Sequence, residues 1–223
     1  MPERPCDHGP MRRPLAFALI LALSASACST DKQREMARYY DPEGLFSTSL
    51  PEVNLVTVVP PQPASTGPSI LSGVVSQPPG PSPSPQTQFG GGLGQGLSQT
   101  EPPDRTIYEA FAVTTADFED LSDMALAFLT GDPSFDVREE RPIRIDEAPG
   151  LLVVADSLQE GEAVSSVAAA LSAGTDGVGY VVAAIFPPGE WAAEESDFLR
   201  VVSSFSGEVP PGLQTFPVAD VAA

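Results

Sequence analysis

Residues 60–104 constrain the fold of this chain more than any other stretch, because they divide it into two parts. These 45 residues contain eleven prolines and eight glycines, including the runs PSPSP and GGGLGQG. A segment of this composition buries too little apolar surface to offset the entropy lost on ordering. We therefore expect an insertion loop within one domain, in which only residues 70–75 are apolar enough for an edge strand. A solvated spacer and a proline-rich element that binds an aromatic groove of a partner both fit this composition.

The parts on either side of the insertion carry short apolar runs of strand character. Before it, residues 45–50 and 53–59 predict two strands joined by a turn at Pro51 and Glu52. After it, residues 106–113 predict a strand, and residues 116–130 have the apolar periodicity of a helix. Four acids fall in the first two turns of that helix: Asp117, Glu119, Asp120 and Asp123. We expect these acids to interact favourably with the helix dipole on a solvated face. A cation site is the alternative, although the alternating acids and central glycine of an EF-hand loop are missing.

The C-terminal part predicts strands followed by a second helix. Pro142 cannot donate a ladder hydrogen bond, so it indicates an edge strand or a bulge. Arg138, Arg141 and Arg144 lie near it, and we expect them to pair with acids across strands; a small-anion site is the alternative. The predicted elements are a strand over 135–146, a turn at 148–150, a buried strand at 151–156, a hairpin of 163–172 with 179–186, and a helix within 191–205.

Residues 11–28, MRRPLAFALILALSASAC, have the layout of a bacterial export signal that ends in a modified cysteine. Two arginines precede a ten-residue apolar core that is too short to span a bilayer. The run LSASAC resembles a lipobox, with alanine at the position where leucine is usual. In that family the cysteine thiol receives a diacylglyceryl group, the chain is cut before the cysteine, and the new amine is acylated. We expect a signal peptide over 1–27 and lipid, including palmitate, on Cys28; ordinary cleavage beside an incidental cysteine is the alternative.

Cleavage before Cys28 leaves 196 residues whose composition excludes several kinds of chemistry. Removing residues 1–27 takes two of the 30 acids and three of the 11 bases, so the formal charge becomes −20. This charge argues against nucleic acid and against electrostatic docking on anionic lipid. The only histidine, His8, is lost together with Cys6, which excludes histidine–cysteine zinc sites, Ser-His-Asp and Cys-His catalysis, and an internal disulfide. We expect neither a metal nor a cofactor.

The predicted order of elements is typical of an α+β domain with a mostly antiparallel sheet. Residues 40–47, YDPEGLFS, resemble the start of PsbP-like domains, and GYVV at 179–182 followed by PPG at 187–189 resembles their end. The resemblance implies a helix–sheet–helix sandwich over 39–207, between a polar tether at 28–38 and a loose tail at 208–223. Lipid-anchored versions are similar to LpqN-type envelope lipoproteins. The family implies a non-enzymatic accessory or binding role and supplies no catalytic residue.

These observations predict a lipoprotein on the extracytoplasmic face of the cell membrane that binds a partner protein or an apolar envelope molecule, such as a glycolipid. Trp191 and Glu190 are the candidate contact residues, because the only tryptophan follows a sharp Pro-Pro-Gly turn after a buried strand. A ring in such a place can stack on a sugar or an acyl chain, or it can fasten the last helix to the sheet. Two other functions stay open: a structural spacer lipoprotein, and a glycan hydrolase that uses Glu190 and Glu194.

Overall fold

A computed structural model describes residues 34–63, 68–79, 105–115, 118, 120, 124, 134–174 and 177–208. Within these ranges the chain forms nine strands and one helix. In chain order they are β1 (Met36–Tyr40), β2 (Ser47–Pro51), β3 (Leu55–Val59), β4 (Ile70–Gln77), β5 (Ile107–Thr114), β6 (Phe135–Ile145), β7 (Ala148–Gln159), β8 (Glu162–Ala173), β9 (Val178–Phe186) and α1 (Trp191–Ser204).

Seven strands form one antiparallel sheet in the order β3-β4-β5-β9-β8-β7-β6, and β1 pairs with β2 separately. The register brings Leu55 opposite Gln77 and Ile107 opposite Ile185 at one end of the sheet. We call this the proximal end, because Arg34, where the described chain begins, contacts Tyr108 there. The opposite, distal end includes the β6–β7 turn. The expectation of a mostly antiparallel α+β domain is confirmed.

The sheet buries apolar side chains on both faces. Along β5, Phe111 and Val113 point to one face, whereas Ala110 and Ala112 point to the other. Helix α1 packs on that second face through residues such as Phe198, Val201 and Val202. Alanines of the central strands leave room for the helix to approach the sheet. The predicted C-terminal helix is therefore confirmed, with its apolar stripe against the sheet.

The alanine-rich segment forms a strand, as the predicted hairpin requires. Strand β8 pairs with β9 from Ser166 opposite Phe186 to Ala173 opposite Gly179. Alanine favours helix in isolation, but these side chains are buried on both faces of a central strand, where small size suits close packing. Pro142 lies in the edge strand β6, which agrees with the missing ladder donor.

Three boundaries differ from the sequence predictions. The strand predicted within the insertion is confirmed as β4, but its predicted edge position is wrong, because β4 lies between β3 and β5 and buries Ile70 and Val74. Gly73 permits this position, since a Cβ there would stand 2.3 Å from the Phe111 ring. Part of the predicted polar tether, residues 36–38, pairs with β2 as strand β1. The turn predicted at 148–150 lies instead at Asp146 and Glu147, whose φ angles are positive, so residues 148–150 begin β7.

Several predictions fall on residues outside the described ranges. These are the signal peptide, Cys28, residues 80–104 of the insertion, the tail beyond residue 208, and most of the helix at 116–130 with its acids. Of that helix the structure describes only Phe118, Asp120 and Met124, where the Met124 amide donates to the Asp120 carbonyl. The second helical layer of the sandwich therefore stays a prediction. Within the described ranges no helix is long and apolar enough to cross a membrane.

Candidate functional site

A hydrogen-bonded network joins the start of the domain to the sheet and the helix at the proximal end. Arg34 donates two hydrogen bonds to the Glu194 carboxylate, at 2.9 and 2.8 Å, and a third to the Tyr108 hydroxyl at 2.8 Å. The Tyr108 hydroxyl in turn donates to Glu194 at 3.3 Å. Tyr108 and Glu194 are buried, while the Arg34 side chain remains 38% exposed. The network therefore fixes residue 34 against β5 and α1.

Further charges on α1 hold the same arginine in place. Arg34 lies 3.4 Å from the Asp197 carboxylate, and Arg200 donates to the Arg34 carbonyl at 3.1 Å. Burial by itself lowers the pKa of Arg34, but the hydrogen bond to Glu194 and the nearby acids raise it above its ordinary value. Burial raises the pKa of Tyr108, which keeps the phenol protonated and able to donate. The residue at which the described chain begins is thus a charged joint that is bonded to both β5 and α1.

An open groove of about 400 Å³ lies beside this network. Its walls come from the proximal ends of strands and from the start of α1, which the antiparallel topology gathers in one place. The lining residues are Arg34, Pro51, Val53, Asn54, Pro78, Pro79, Arg105, Thr106, Pro187, Glu190 and Glu194. Prolines and a valine give it an apolar wall, and two arginines and two glutamates give it charged groups of both signs. The size matches that of small-molecule sites in proteins.

Three exposed aliphatic side chains stand at the same end of the sheet. Val53, Leu55 and Val56, which we call the apolar tip, are 70, 54 and 39% exposed. Val53 lies on the turn after β2, and Leu55 and Val56 are neighbours on β3, the edge strand, where their side chains point to opposite faces of the sheet end. Among the described residues the only other large apolar side chain with such exposure is Val137, which also lies towards the proximal end. Within the described ranges, the large apolar side chains with high exposure therefore lie towards one end of the sheet.

The two predicted contact residues lie in different surroundings. Glu190 is exposed and lines the groove. Trp191 is half-buried: its ring stacks on Phe186 and meets the edge of Phe198, each at 5.9 Å, and its indole N–H donates to Glu139 at 3.2 Å. These contacts agree with the alternative in which Trp191 fastens the last helix to the sheet. A ligand contact at Trp191 stays a prediction, as does the lipid on Cys28, which is outside the described ranges.

The three arginines of β6 have different partners. Arg138 donates to Asp156 on the neighbouring strand at 2.8 Å, which is the cross-strand pair that the sequence predicts. Arg141 reaches instead to Glu195 of α1 at 2.5 Å, and Arg144 donates to the Glu147 carbonyl in its own turn. In the part of the chain that the structure describes, no group of three or more His, Cys, Asp or Glu side chains is arranged to hold a metal.

Glu109 is the most unusual buried group in the described part of the sheet. It is 3% exposed and lies between Val75 and Ala183 on the neighbouring strands. Burial raises the pKa of its carboxyl to about 8. Its neighbour on β5, Tyr108, points to the other face and joins the Arg34 network. The acid therefore holds its proton at neutral pH.

Similarity to known proteins is confined to solved structures, because no family model and no curated protein matches the chain. Cyanobacterial PsbP (CyanoP) from Synechocystis sp. PCC 6803 is 13% identical, with 82% of this chain and 98% of that chain covered and a TM-score of 0.49. The Saccharomyces cerevisiae Ran-binding protein Mog1p is 13% identical, with 78% and 95% covered and a TM-score of 0.45. LpqN, involved in cell envelope biogenesis of Mycobacterium tuberculosis, is 15% identical, with 78% and 92% covered and a TM-score of 0.41. CyanoP and LpqN are of the kinds that the sequence motifs resemble, but likenesses this distant transfer neither partner nor activity.

Proposed function

We propose that this chain is a lipid-anchored, extracytoplasmic envelope lipoprotein whose domain binds an apolar envelope molecule in the proximal groove. The groove itself carries the proposal. It combines an apolar wall, formed by Pro51, Val53 and Pro79 among others, with charged groups that can fix the polar end of a ligand. An amphipathic molecule, with an acyl chain and a polar head, has the chemistry that such a lining accepts.

The anchor assigned to Cys28 supports this function. The mature chain has a formal charge of −20, so attachment to the envelope depends on acyl chains rather than on attraction to lipid head groups. Membrane attachment through two or more chains would keep the groove beside its ligand supply. The role that we propose is binding, without a catalytic step.

Glycan hydrolysis fits the groove poorly. That reaction needs one carboxylic acid that gives its proton to the leaving group and a second free carboxylate. Both oxygens of Glu194 accept hydrogen bonds from Arg34, so this side chain is already engaged in a structural joint. Glu190 lines the groove, but with Glu194 held by Arg34 the pair does not supply two free acids. A spacer lipoprotein would need no groove.

The test is to fill the groove and to measure the lipid that copurifies with the protein. Pro79→Trp puts a bulky ring into the wall, and Pro149→Trp is the matched control at an exposed position at the distal end. Solvent extraction and mass spectrometry of protein purified from its own membrane should find one class of amphipathic lipid with the wild-type and the control, and much less with Pro79→Trp. Absence of any bound lipid from the wild-type, or equal amounts in all three, would contradict the proposal.

A further inference from the structure

The apolar tip lies beside the point at which the chain joins the domain. Strand β1 pairs with β2 so that Met36 faces Pro51, and the Glu52 amide donates to the Glu35 carbonyl at 2.9 Å. Val53 follows directly after that pair. The apolar tip therefore lies at the same end of the domain as Arg34, and Val53 and Arg34 line the same groove.

The chain between this joint and the lipid is short. Arg34 is the sixth residue after Cys28, and a fully extended chain of that length spans about 20 Å. The bonds from Arg34 to Glu194 and Tyr108 prevent the joint from swinging away from the proximal end. With lipid on Cys28, the proximal end must then stay within about 20 Å of the bilayer surface, whereas the distal end can lie further away.

We propose that the apolar tip, formed by Val53, Leu55 and Val56, rests in the surface of the bilayer that holds the anchor, so that the groove opens towards the membrane. The inference rests on the proposed function, because it takes Cys28 as the anchor. Val53 belongs to both the tip and the groove lining, so a tip seated among lipid head groups brings the groove mouth to the same depth. An amphipathic molecule then passes from the bilayer into the groove without crossing water.

The short link to the lipid favours a bilayer over other molecules that could contact the apolar tip. Three partly exposed aliphatic side chains bind lipid weakly, but a short link of residues 29–33 between Cys28 and Arg34 gives an effective concentration in the millimolar range, at which weak contacts form. Glu52 is exposed in the same turn and Glu35 lies beside it, so anionic head groups would repel this surface. The contact therefore depends on apolar insertion and should weaken as the anionic lipid fraction rises. No described strand pairs with the outer side of β3, so a second copy of the chain is the main competing occupant.

The test uses the acylated protein in phosphatidylcholine vesicles with a fluorescent nitrobenzoxadiazole probe on one introduced thiol. Cleavage removes Cys6 and acylation blocks Cys28, so Val53→Cys carries the only free thiol, and Pro149→Cys at the exposed distal end is the matched control. Lipids with a nitroxide near the head group should quench the probe at position 53 several-fold more than at 149. The difference should be lost when Leu55→Ser and Val56→Ser are added.

The remaining outcomes would overturn the inference in distinguishable ways. Equal quenching at both positions would mean that the apolar tip does not contact the bilayer. Quenching that survives the two serine substitutions would mean that the probe itself drives insertion. Disulfide-linked dimers through residue 53 without quenching by lipid would show that a second copy covers β3. Protein that does not float with the vesicles at all would refute the anchor, and with it the proposed function.

Discussion

The two ends of the domain differ in how they are closed. At the distal end, Ser47 and Ser206 exchange backbone hydrogen bonds at 2.7 and 2.8 Å, and Phe46 stacks on Phe205 at 5.5 Å. At the proximal end, strand ends surround an open groove, and Val53 and Leu55 are more than half exposed. As far as the described residues show, the same antiparallel sheet thus has one sealed end and one open end.

This difference separates the residues that stabilise the domain from those available to a ligand. A closed end buries aromatic side chains completely and gains their full hydrophobic stabilisation. An open end leaves apolar surface in water, which contributes nothing to folding and is typical of an interaction site. Substitutions of buried side chains should therefore change stability, whereas substitutions of the exposed side chains at the open end should change binding. The following predictions test this from the largest effect to the smallest.

The largest effect should come from pH acting on Glu109, buried towards the proximal end. Burial raises the pKa of its carboxyl from 4.5 to about 8, so the folded protein keeps a proton that the unfolded chain releases. The contribution of Glu109 to the free energy of unfolding is then fully present below pH 4.5 and falls as the pH rises to 8, by up to about 5 kcal/mol at ~1.4 kcal/mol per unit. Urea denaturation across this range should show the loss in wild-type protein, relative to Glu109→Gln. Parallel pH profiles for the two proteins would show that burial does not raise the pKa of Glu109 in this way.

Phe46→Ala should produce the largest loss from a single substitution at the sealed end. The Phe46 ring is fully buried between Tyr39 and Phe205, so its removal leaves a cavity. We expect the free energy of unfolding to fall by about 4 kcal/mol, as for other buried phenylalanines. Chemical denaturation measures the change. A loss below about 1 kcal/mol would mean that the distal end is not close-packed, and the contrast between the ends would fail.

Glu194→Gln should cost less, because it weakens the charged joint without leaving a cavity. The amide keeps the shape but cannot accept both hydrogen bonds from Arg34, whose side chain is 38% exposed and keeps Asp197 as a partner. Solvent screening limits the loss to about 2 kcal/mol. A double-mutant cycle with Arg34→Ala should give a coupling energy between the two side chains. Additive effects would mean that the network does not fix the joint.

Val53→Ser should have the smallest effect on folding. The side chain is 70% exposed, so the free energy of unfolding should change by less than about 0.5 kcal/mol. The same variant should still lower the amount of bound lipid and the contact with vesicles. A large loss of stability would show that the tip packs on the domain and is unavailable to a membrane or a ligand.

Local patterns in the sequence predicted much of the fold but little of the proximal site. The hairpin of β8 and β9 was predictable because a turn signal separates two apolar runs. Strand β4 was misjudged as an edge, since its burial depends on contacts with β3 and β5 that no local pattern encodes. The bonds between Arg34 and Glu194 join residues 160 positions apart, and neither residue carries a motif. The Pro-Pro-Gly turn before Glu190 predicts this residue as a contact residue, and it lines the groove. No sequence signal predicts a role for Arg34, Tyr108 or the apolar tip at this site.

The mass of the N-terminal peptide tests the central claim most directly, because the anchor and the membrane contact both depend on lipid at Cys28. The protein should be extracted from its own membrane with detergent, digested and analysed by mass spectrometry. The account predicts a peptide that begins at Cys28 and carries a diacylglyceryl thioether and an acylated amine. A peptide that begins elsewhere, or one with an unmodified Cys28 thiol, would contradict it.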